Sequence, residues 1–256
     1  MIKPVVKKNL SENAKENLKQ YIMNLDISAS NKLPPEEQLA SELAVSRVTV
    51  RSALKDLEVE GLILRIHGKG TFVNKEALQI KTNIGAMAEF SAVIRKNGYK
   101  PMTKLLMCEK EKADEDIAKL LHIGKDSQLY RIERMYFADK RPAIISVAWI
   151  PVYLFQELPQ QAEWDENSNF DMLSQYAGKT VKHDIVDICA ISNEIMLNEL
   201  HYSGKPKDKQ LLNCNSILCL TACAFDQSNI PCIYGKAYYN TDYIHLQLFR
   251  SQETGI

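Results

Sequence analysis

From Ser11 onward the apolar residues Ala14, Leu18, Tyr21, Ile22 and Leu25 recur at helical spacing, which predicts a helix over 11–25 with Ser11 as its N-cap. A polar loop, Ser28 to Lys32, follows. Pro34-Pro35 then opens a short second helix with Glu36 and Glu37 in its first turn, where the macrodipole favours acids, and with Leu39, Ala40 and Leu43 facing inward. After a turn at Ala44-Val45, Ser46 is placed to cap a third helix whose Val50, Ala53, Leu54 and Leu57 form one apolar stripe. The opposite face carries Val48, Arg51, Ser52 and Lys55, with Arg47 and Thr49 in the exposed first turn. Gly61 ends this helix. Leu62 to Ile66 and Thr71 to Val73 read as two short strands joined by His67-Gly68-Lys69-Gly70, whose glycines permit positive φ and whose tip is basic.

Beyond Asn74 the amphipathic order lapses until Asn83. A helix is expected from Gly85 to Lys96, ending at Asn97-Gly98, and strands over 103–110, 128–137, 143–150, 183–190, 216–226, 231–239 and 244–250. Short helices fit 114–121, 170–176 and 192–200. The turn-rich runs Asp139 to Pro142 and Asp226 to Pro231 each separate two strand-like segments, so the sheet should be largely antiparallel. The fold class expected is α+β: a winged helix-turn-helix followed by a mainly antiparallel sheet with flanking helices.

With 256 residues the chain has room for two domains, set at 1–74 and 84–256 with a linker at 75–83. A net charge of zero conceals an asymmetry: residues 1–75 hold twelve Lys/Arg against nine Asp/Glu, or +3, and the remainder carries −3. Three helices, then a hairpin, on a basic segment describe a winged helix, in which the third helix enters the major groove of duplex DNA and the wing reaches phosphate or minor groove. No apolar run is long enough to cross a bilayer and the N-terminus has no leader-like core, so a cytoplasmic location away from membranes is expected. The six cysteines (108, 189, 214, 219, 223, 232) read as reduced thiols; Cys214, Cys219, Cys223 and Cys232 lack a zinc spacing and read as small buried hydrophobes, and neither a metal nor a cofactor is expected. Nor is there a Gly-rich phosphate loop.

The runs Leu33-Pro34-Pro35-Glu36, Val45-Ser46-Arg47-Val48-Thr49-Val50-Arg51, Leu57-Glu58-Val59-Glu60-Gly61-Leu62-Ile63 and Gly68-Lys69-Gly70-Thr71-Phe72-Val73 resemble the GntR family of bacterial regulators. That resemblance implies that Ser46, Arg47, Thr49 and Arg51 contact operator DNA and that Lys69 and Gly70 enter the minor groove. Ser52 and Lys55 on the same helix face, and Thr71 beside the wing tip, complete the expected DNA-binding set. Arg suits this task because its planar fork spans guanine O6 and N7. The chain departs from the family at Glu37, where an Arg is usual; a carboxylate there repels phosphate.

The second half, through Phe90-Ser91, Arg131 to Arg134, Trp149-Ile150-Pro151 and Tyr238 to Tyr243, resembles the UTRA ligand-binding domain of the HutC-like branch, which has a chorismate-lyase-like fold. The resemblance implies an effector pocket lined by Phe90, Ser91, Arg134, Ser168 and Tyr239. At four further pocket positions this chain has Tyr136 for a second Arg, Ser146 and Ile233 for acids, and Phe170 for a Tyr, which removes a bidentate phosphate partner and two hydroxyl acceptors. Arg134 could instead be a surface strand residue paired with Glu133 or another acid. The expected protein is an effector-responsive homodimeric regulator, a repressor by default, that binds a near-palindromic operator. Two alternatives remain: an enzyme acting on a small carboxylate, and a regulator whose second domain only dimerises.

Overall fold

The computed structural model describes residues 10–26, 30–157, 159–201, 214 and 217–250. Residues 28 and 29 of the expected loop, the start of the strand expected at 216 and the last six residues fall outside these. The chain divides into two compact units, one of residues 1–85 together with 247–256, the other Ala86–Leu246.

In the first unit α1 (Leu10–Asn24), α2 (Glu36–Glu42) and α3 (Arg47–Val59) precede a hairpin of β1 (Ile63–Ile66) and β2 (Gly70–Val73). The expected stripes are the core: Leu18 and Ile22 of α1, Leu39 of α2 and Val50, Ala53, Leu54 and Leu57 of α3 are buried together. α1 starts one residue ahead of Ser11, which therefore sits inside the first turn and not at the cap. The turn between α2 and α3 holds Ala44 at φ +52°. Gly61, at φ +75°, closes α3 by the left-handed route open to glycine, and the Leu62 N–H returns to the Leu57 carbonyl at 2.9 Å. A one-turn α4 (Lys75–Leu78), capped by the Asn74 side chain, occupies the expected linker and packs Leu78 on this core.

In the second unit α5 (Phe90–Lys96) is shorter than expected. Gly85 to Glu89 stay outside it because the Gly85 N–H bonds the Asn83 side chain at 3.0 Å in a local turn. Six strands, β3 (Pro101–Lys112), β4 (Gln128–Ala138), β5 (Arg141–Pro151), β6 (Val181–Ile191), β7 (Ile217–Asp226) and β8 (Pro231–Asn240), form one antiparallel sheet in the order β3-β4-β5-β8-β7-β6. The hairpin turns at Asp139 and Asn229 take positive φ, as their Asp and Asn side chains allow. No strand forms over 244–250; Gln247 makes only an isolated bridge to Asn83.

Period-two alternation assigns the faces of the sheet. One face, with Leu129, Met135, Val147 and Tyr238, is covered by α6 (Glu115–Leu120) and α9 (Asn193–Glu199). On the other, Tyr130, Ile132 and Ala148 pack under α7 (Gln161–Glu166) and α8 (Asn169–Ala177), while Tyr136, Ile144, Ala237 and Tyr239 pack under α5.

Candidate DNA-reading surface and effector site

On α3, Ser46, Arg47, Val48, Arg51, Ser52 and Lys55 are exposed and Thr49 is half-buried, so the helix presents the expected face. Val48, at 76% exposure, is a large apolar residue left open in the middle of it. Ser46 is committed locally: its hydroxyl accepts the Thr49 N–H at 3.1 Å and meets the Thr49 hydroxyl at 2.8 Å. Arg51 is held by Glu36, with Nη2 and Nε at 2.9 and 3.1 Å from one carboxylate oxygen, and the guanidinium hydrogen bond holds the Glu36 carboxyl below its usual range. Glu37 lies 3.9 Å from Arg47, and both are exposed. The departure from the family pattern therefore adds an acid beside the first cation of α3.

The wing tip turns through Gly68 and Gly70, both at positive φ, and leaves Lys69 exposed, while Thr71 is half-buried with its carbonyl taken by the Leu33 N–H at 2.8 Å. Two cations on this surface were not among those expected. Lys32 bridges to Phe72 and lies against Gly70, and Arg65 reaches Glu58 at 3.4 Å and Glu36 at 3.9 Å. Arg65 was legible as a basic residue in the wing; Lys32 sits in the loop before the second helix and carries no periodic signal.

In the second unit the sheet brings Arg134, Tyr136, Ser146 and Tyr239 to one face. Arg134 is directly opposite Ser146, and Ile144 is opposite both Tyr136 and Tyr239. Phe90 stands over Tyr136 and Tyr239, with ring centroids 4.9 and 6.1 Å away, and Ser91 is half-buried beside it on α5. Ser168 caps α8 and Phe170 packs into the cluster under that helix. Ser146 is buried, and its hydroxyl makes no hydrogen bond of ordinary geometry. Burial raises the Tyr136 and Tyr239 hydroxyls above their usual range.

Arg134 has only 1% exposure, and its guanidinium meets neutral acceptors: the Asn169 side chain and the carbonyls of Trp164 at 2.8 Å and Asn167 at 3.0 Å. No carboxylate lies in ion-pair range of it among the described residues. The alternative pairing with Glu133 is corrected, because adjacent strand residues point to opposite faces. Glu133 is bound by Arg131, at 2.7 Å, on the far side of the sheet. Burial lowers the Arg134 proton affinity, with Asp165 and Glu89 among the charges acting against that.

A polar cluster borders this guanidinium. The Ser168 hydroxyl lies 2.7 Å from Asp171 Oδ2 and 3.3 Å from Glu89 Oε1, and Asp171 Oδ2 also accepts the Ser168 N–H at 3.2 Å in the capping box of α8. Glu89 is raised by burial and by Asp171. Cys108 also sits here, its thiol pushed up to about 11 by burial. Glu89 was missed because it precedes a helix that the pattern started too early. Of the four cysteines expected to be buried, 214, 219 and 232 are, and Cys223 is half-buried; Cys189, on the edge strand β6 opposite Cys219, is exposed.

Comparison with known proteins agrees with both halves. Residues 10–73 match the bacterial regulatory proteins of the gntR family, and residues 96–195 match the UTRA domain. The chain is 30% identical over 161 residues to the HTH-type transcriptional repressor NagR of Bacillus subtilis, covering 63% of this chain and 65% of that one. It is 26% identical over 172 residues to the mannosyl-D-glycerate transport/metabolism system repressor MngR of Escherichia coli, covering 67% and 68%. The chain thus spans about two thirds of the length of these curated relatives. The fold is that of YydK from Bacillus subtilis, with a TM-score of 0.69 at 16% identity over 95% of this chain and all of that one (100%). It also matches PhnF from Mycobacterium smegmatis, with a TM-score of 0.55 at 17% identity over 94% and 100%. A winged helix built on the four quoted runs, followed by a six-stranded UTRA sheet, assigns this chain to the gntR family of bacterial regulatory proteins.

Proposed function

We propose that the chain is an effector-responsive transcription regulator of the HutC-like branch, acting in the cytoplasm as a homodimer and repressing by default. The observation that carries this reading is the exposed α3 face with Arg47, Arg51, Ser52 and Lys55, flanked by the Lys69 wing, in a chain that also holds a UTRA sheet. Ser46, Thr49, Gly70 and Thr71 support the docking surface through backbone and capping geometry. Two such helices in a dimer would enter successive major grooves roughly 34 Å apart on a near-palindromic site. The exposed edge strand β6, with Ile185 and Ile188 open to solvent, favours dimerisation through the sheet.

Arg134 suits an anionic group, because a buried guanidinium without a carboxylate retains its full charge for a ligand. Glu89 and Asp171 suit a hydroxyl or ammonium group on the same molecule. Ser146 and the Tyr136, Tyr239 and Phe90 rings provide the rest of an effector site whose polarity differs from that of a simple phosphosugar pocket. An effector that discriminates between two arrangements of the dimer by about 1–3 kcal/mol changes operator affinity by about 5- to 150-fold. A relative that is the mannosyl-D-glycerate transport/metabolism system repressor is in keeping with a small organic effector.

The test has two arms. Selection from a random duplex pool by the purified chain should enrich one near-palindrome, and failure to enrich any sequence refutes operator binding. A thermal-shift screen over phosphosugars, amino acids and organic acids should then give a compound that raises the melt and loosens the selected duplex, with the response lost in Arg134→Ala. Turnover of that compound would favour the enzyme reading.

A further inference from the structure

The first unit is completed by the end of the chain. Gln247 runs beside the segment 81–84: its N–H bonds the Thr82 carbonyl at 2.8 Å, its carbonyl accepts the Ile84 N–H at 2.7 Å, and its side-chain oxygen accepts the Lys81 N–H at 3.1 Å. Two residues on, the Phe249 ring lies on Gly61. A Cβ at Gly61 would be 2.3 Å from Phe249 Cδ1, so the ring occupies the space that every other residue type would fill. Leu248 in the same way comes against Gly85, where a Cβ would be 3.2 Å from its Cδ1.

Gly61 is where α3, the helix with the basic face, turns into the wing. Its own N–H closes the helix on Glu58 at 2.9 Å, and its carbonyl accepts the Asn74 side chain at 2.9 Å, which joins the end of β2 to the same corner. A ring seated there fixes the angle between the two elements expected to touch DNA. The other end of the tail is as firmly held. Ile244 is buried with Phe90 and Tyr239 in the second unit, and the His245 N–H bonds Asn97 at 2.9 Å. Only His245 and Leu246 separate Ile244 from Gln247.

We infer that residues Gln247–Phe249 are a tether through which β8, whose Tyr239 lines the effector site, sets the helix–wing corner of the DNA-binding unit. Ten residues of chain join Tyr239 to Phe249. Coupling of this kind needs an element that both sites bias, and a short anchored segment supplies one without any rearrangement of either core. The coupling part of the inference rests on the DNA-binding reading given above; the seating of the tail does not.

The experiment is hydrogen exchange on the full chain, on Phe249→Ala and on a chain ending at Leu246, each with and without the duplex that the full chain selects from a random pool. Without DNA, the Ile84 and Leu62 amides should lose protection in the shortened chain while the amides of β4 and β5 keep theirs; unchanged protection at Ile84 overturns the seat. With DNA, exchange in residues 238–245 of the full chain should change, since coupling between two sites is reciprocal. That change should disappear in Phe249→Ala and in the shortened chain, and its persistence in both overturns the tether. If the full chain selects no duplex, the DNA-binding reading fails, and the exchange at Ile84 still decides whether the tail is seated.

Discussion

Gly61→Ala is the substitution whose cost can be worked out most directly. At φ +75° a side chain costs about 1–2 kcal/mol, and the loss of unfolded-chain freedom returns about 0.4–1 kcal/mol, which leaves about 1 kcal/mol. The new methyl also needs the space of the Phe249 ring, 2.3 Å away, and must expel it. Burying a phenylalanine side chain fully is worth about 1.5–3 kcal/mol, so a half-buried one loses about 1–1.5 kcal/mol. The single variant should then cost about 2–2.5 kcal/mol, and Phe249→Ala alone about 1–1.5 kcal/mol. In the double variant the collision is gone, so the total should stay near 2–2.5 kcal/mol where additivity would demand about 3–4 kcal/mol. Both tryptophans, Trp149 and Trp164, belong to the second unit, so urea unfolding followed by far-UV circular dichroism senses the loss in the first unit while tryptophan fluorescence reports the second alone. Costs that add to within about 0.5 kcal/mol would refute the contact as the source of the penalty.

On DNA, Arg51→Ala should lose about 1–3 kcal/mol for the selected duplex, whereas Lys69→Ala should weaken all duplexes and reduce the salt slope by about one; titrations at several salt concentrations distinguish them, and unchanged curves for both remove the docking surface. Within the sheet, Arg131→Met should destabilise by about 3–5 kcal/mol because Glu133, with 0% exposure, loses the guanidinium, and adding Glu133→Leu should recover most of the loss in fluorescence-detected urea melts; a double variant as unstable as the single one contradicts this. Acid melts should show the contribution of Glu60, which ties the end of α3 to Lys15 at 2.6 Å and Lys19 at 3.1 Å. Burial pushes its carboxyl up, but the two lysine hydrogen bonds outweigh this and hold it below the usual value. A lowered folded pKa means stability that is present above the ordinary glutamate value of about 4.3 and lost as pH falls through the folded value, so Glu60→Gln should flatten the loss of stability in that acid range. An unaltered acid profile would place the sensitivity elsewhere.

The first unit was legible because its determinants are local. The stripe Val50, Ala53, Leu54 and Leu57, the Ser46 cap and the glycines of the wing each act within a few residues, and all of them occur as expected. What could not be read depends on contacts distant in sequence. Glu36 and Arg51 are fifteen residues apart, so nothing in the pattern tells that Arg51, expected to contact DNA, is held by a carboxylate. Ile244, Leu246 and Leu248 alternate as a strand would, but alternation records which side is apolar and does not supply a neighbouring strand; Gln247 finds a single bridge partner in Asn83. Gly85 misled in the opposite way, since a helix pattern was extended back over residues whose backbone is taken by a turn. One error was avoidable: period two alone excludes a contact between Glu133 and Arg134.

Arg131 and Arg134 are two buried cations on one strand, β4, whose surroundings differ in kind. Both are almost wholly buried, at 5% and 1% exposure, and each therefore bears a desolvation cost. Arg131 is offset by Glu133, by the Glu199 carbonyl at 2.6 Å and by the face of Trp149 at 5.0 Å, an arrangement that is electrically complete. Arg134 is hydrogen-bonded by the neutral groups of Trp164, Asn167 and Asn169, and the carboxylates of Asp165 and Glu89 act on it from beyond ion-pair range. The sequence could have furnished Arg134 with an acid at Ser146, directly across the ladder, and has a small hydroxyl there instead. A buried guanidinium with no carboxylate in ion-pair range is an arrangement that an incoming anion improves. The same criterion separates Glu89, whose hydroxyl donor Ser168 is 3.3 Å away, from Asp171, which closes the capping box of α8, and from Glu133, whose guanidinium partner is already in place. On the reading proposed above, an effector would carry its negative group toward Arg134 on β4 and its donor groups toward Glu89 and the start of α8.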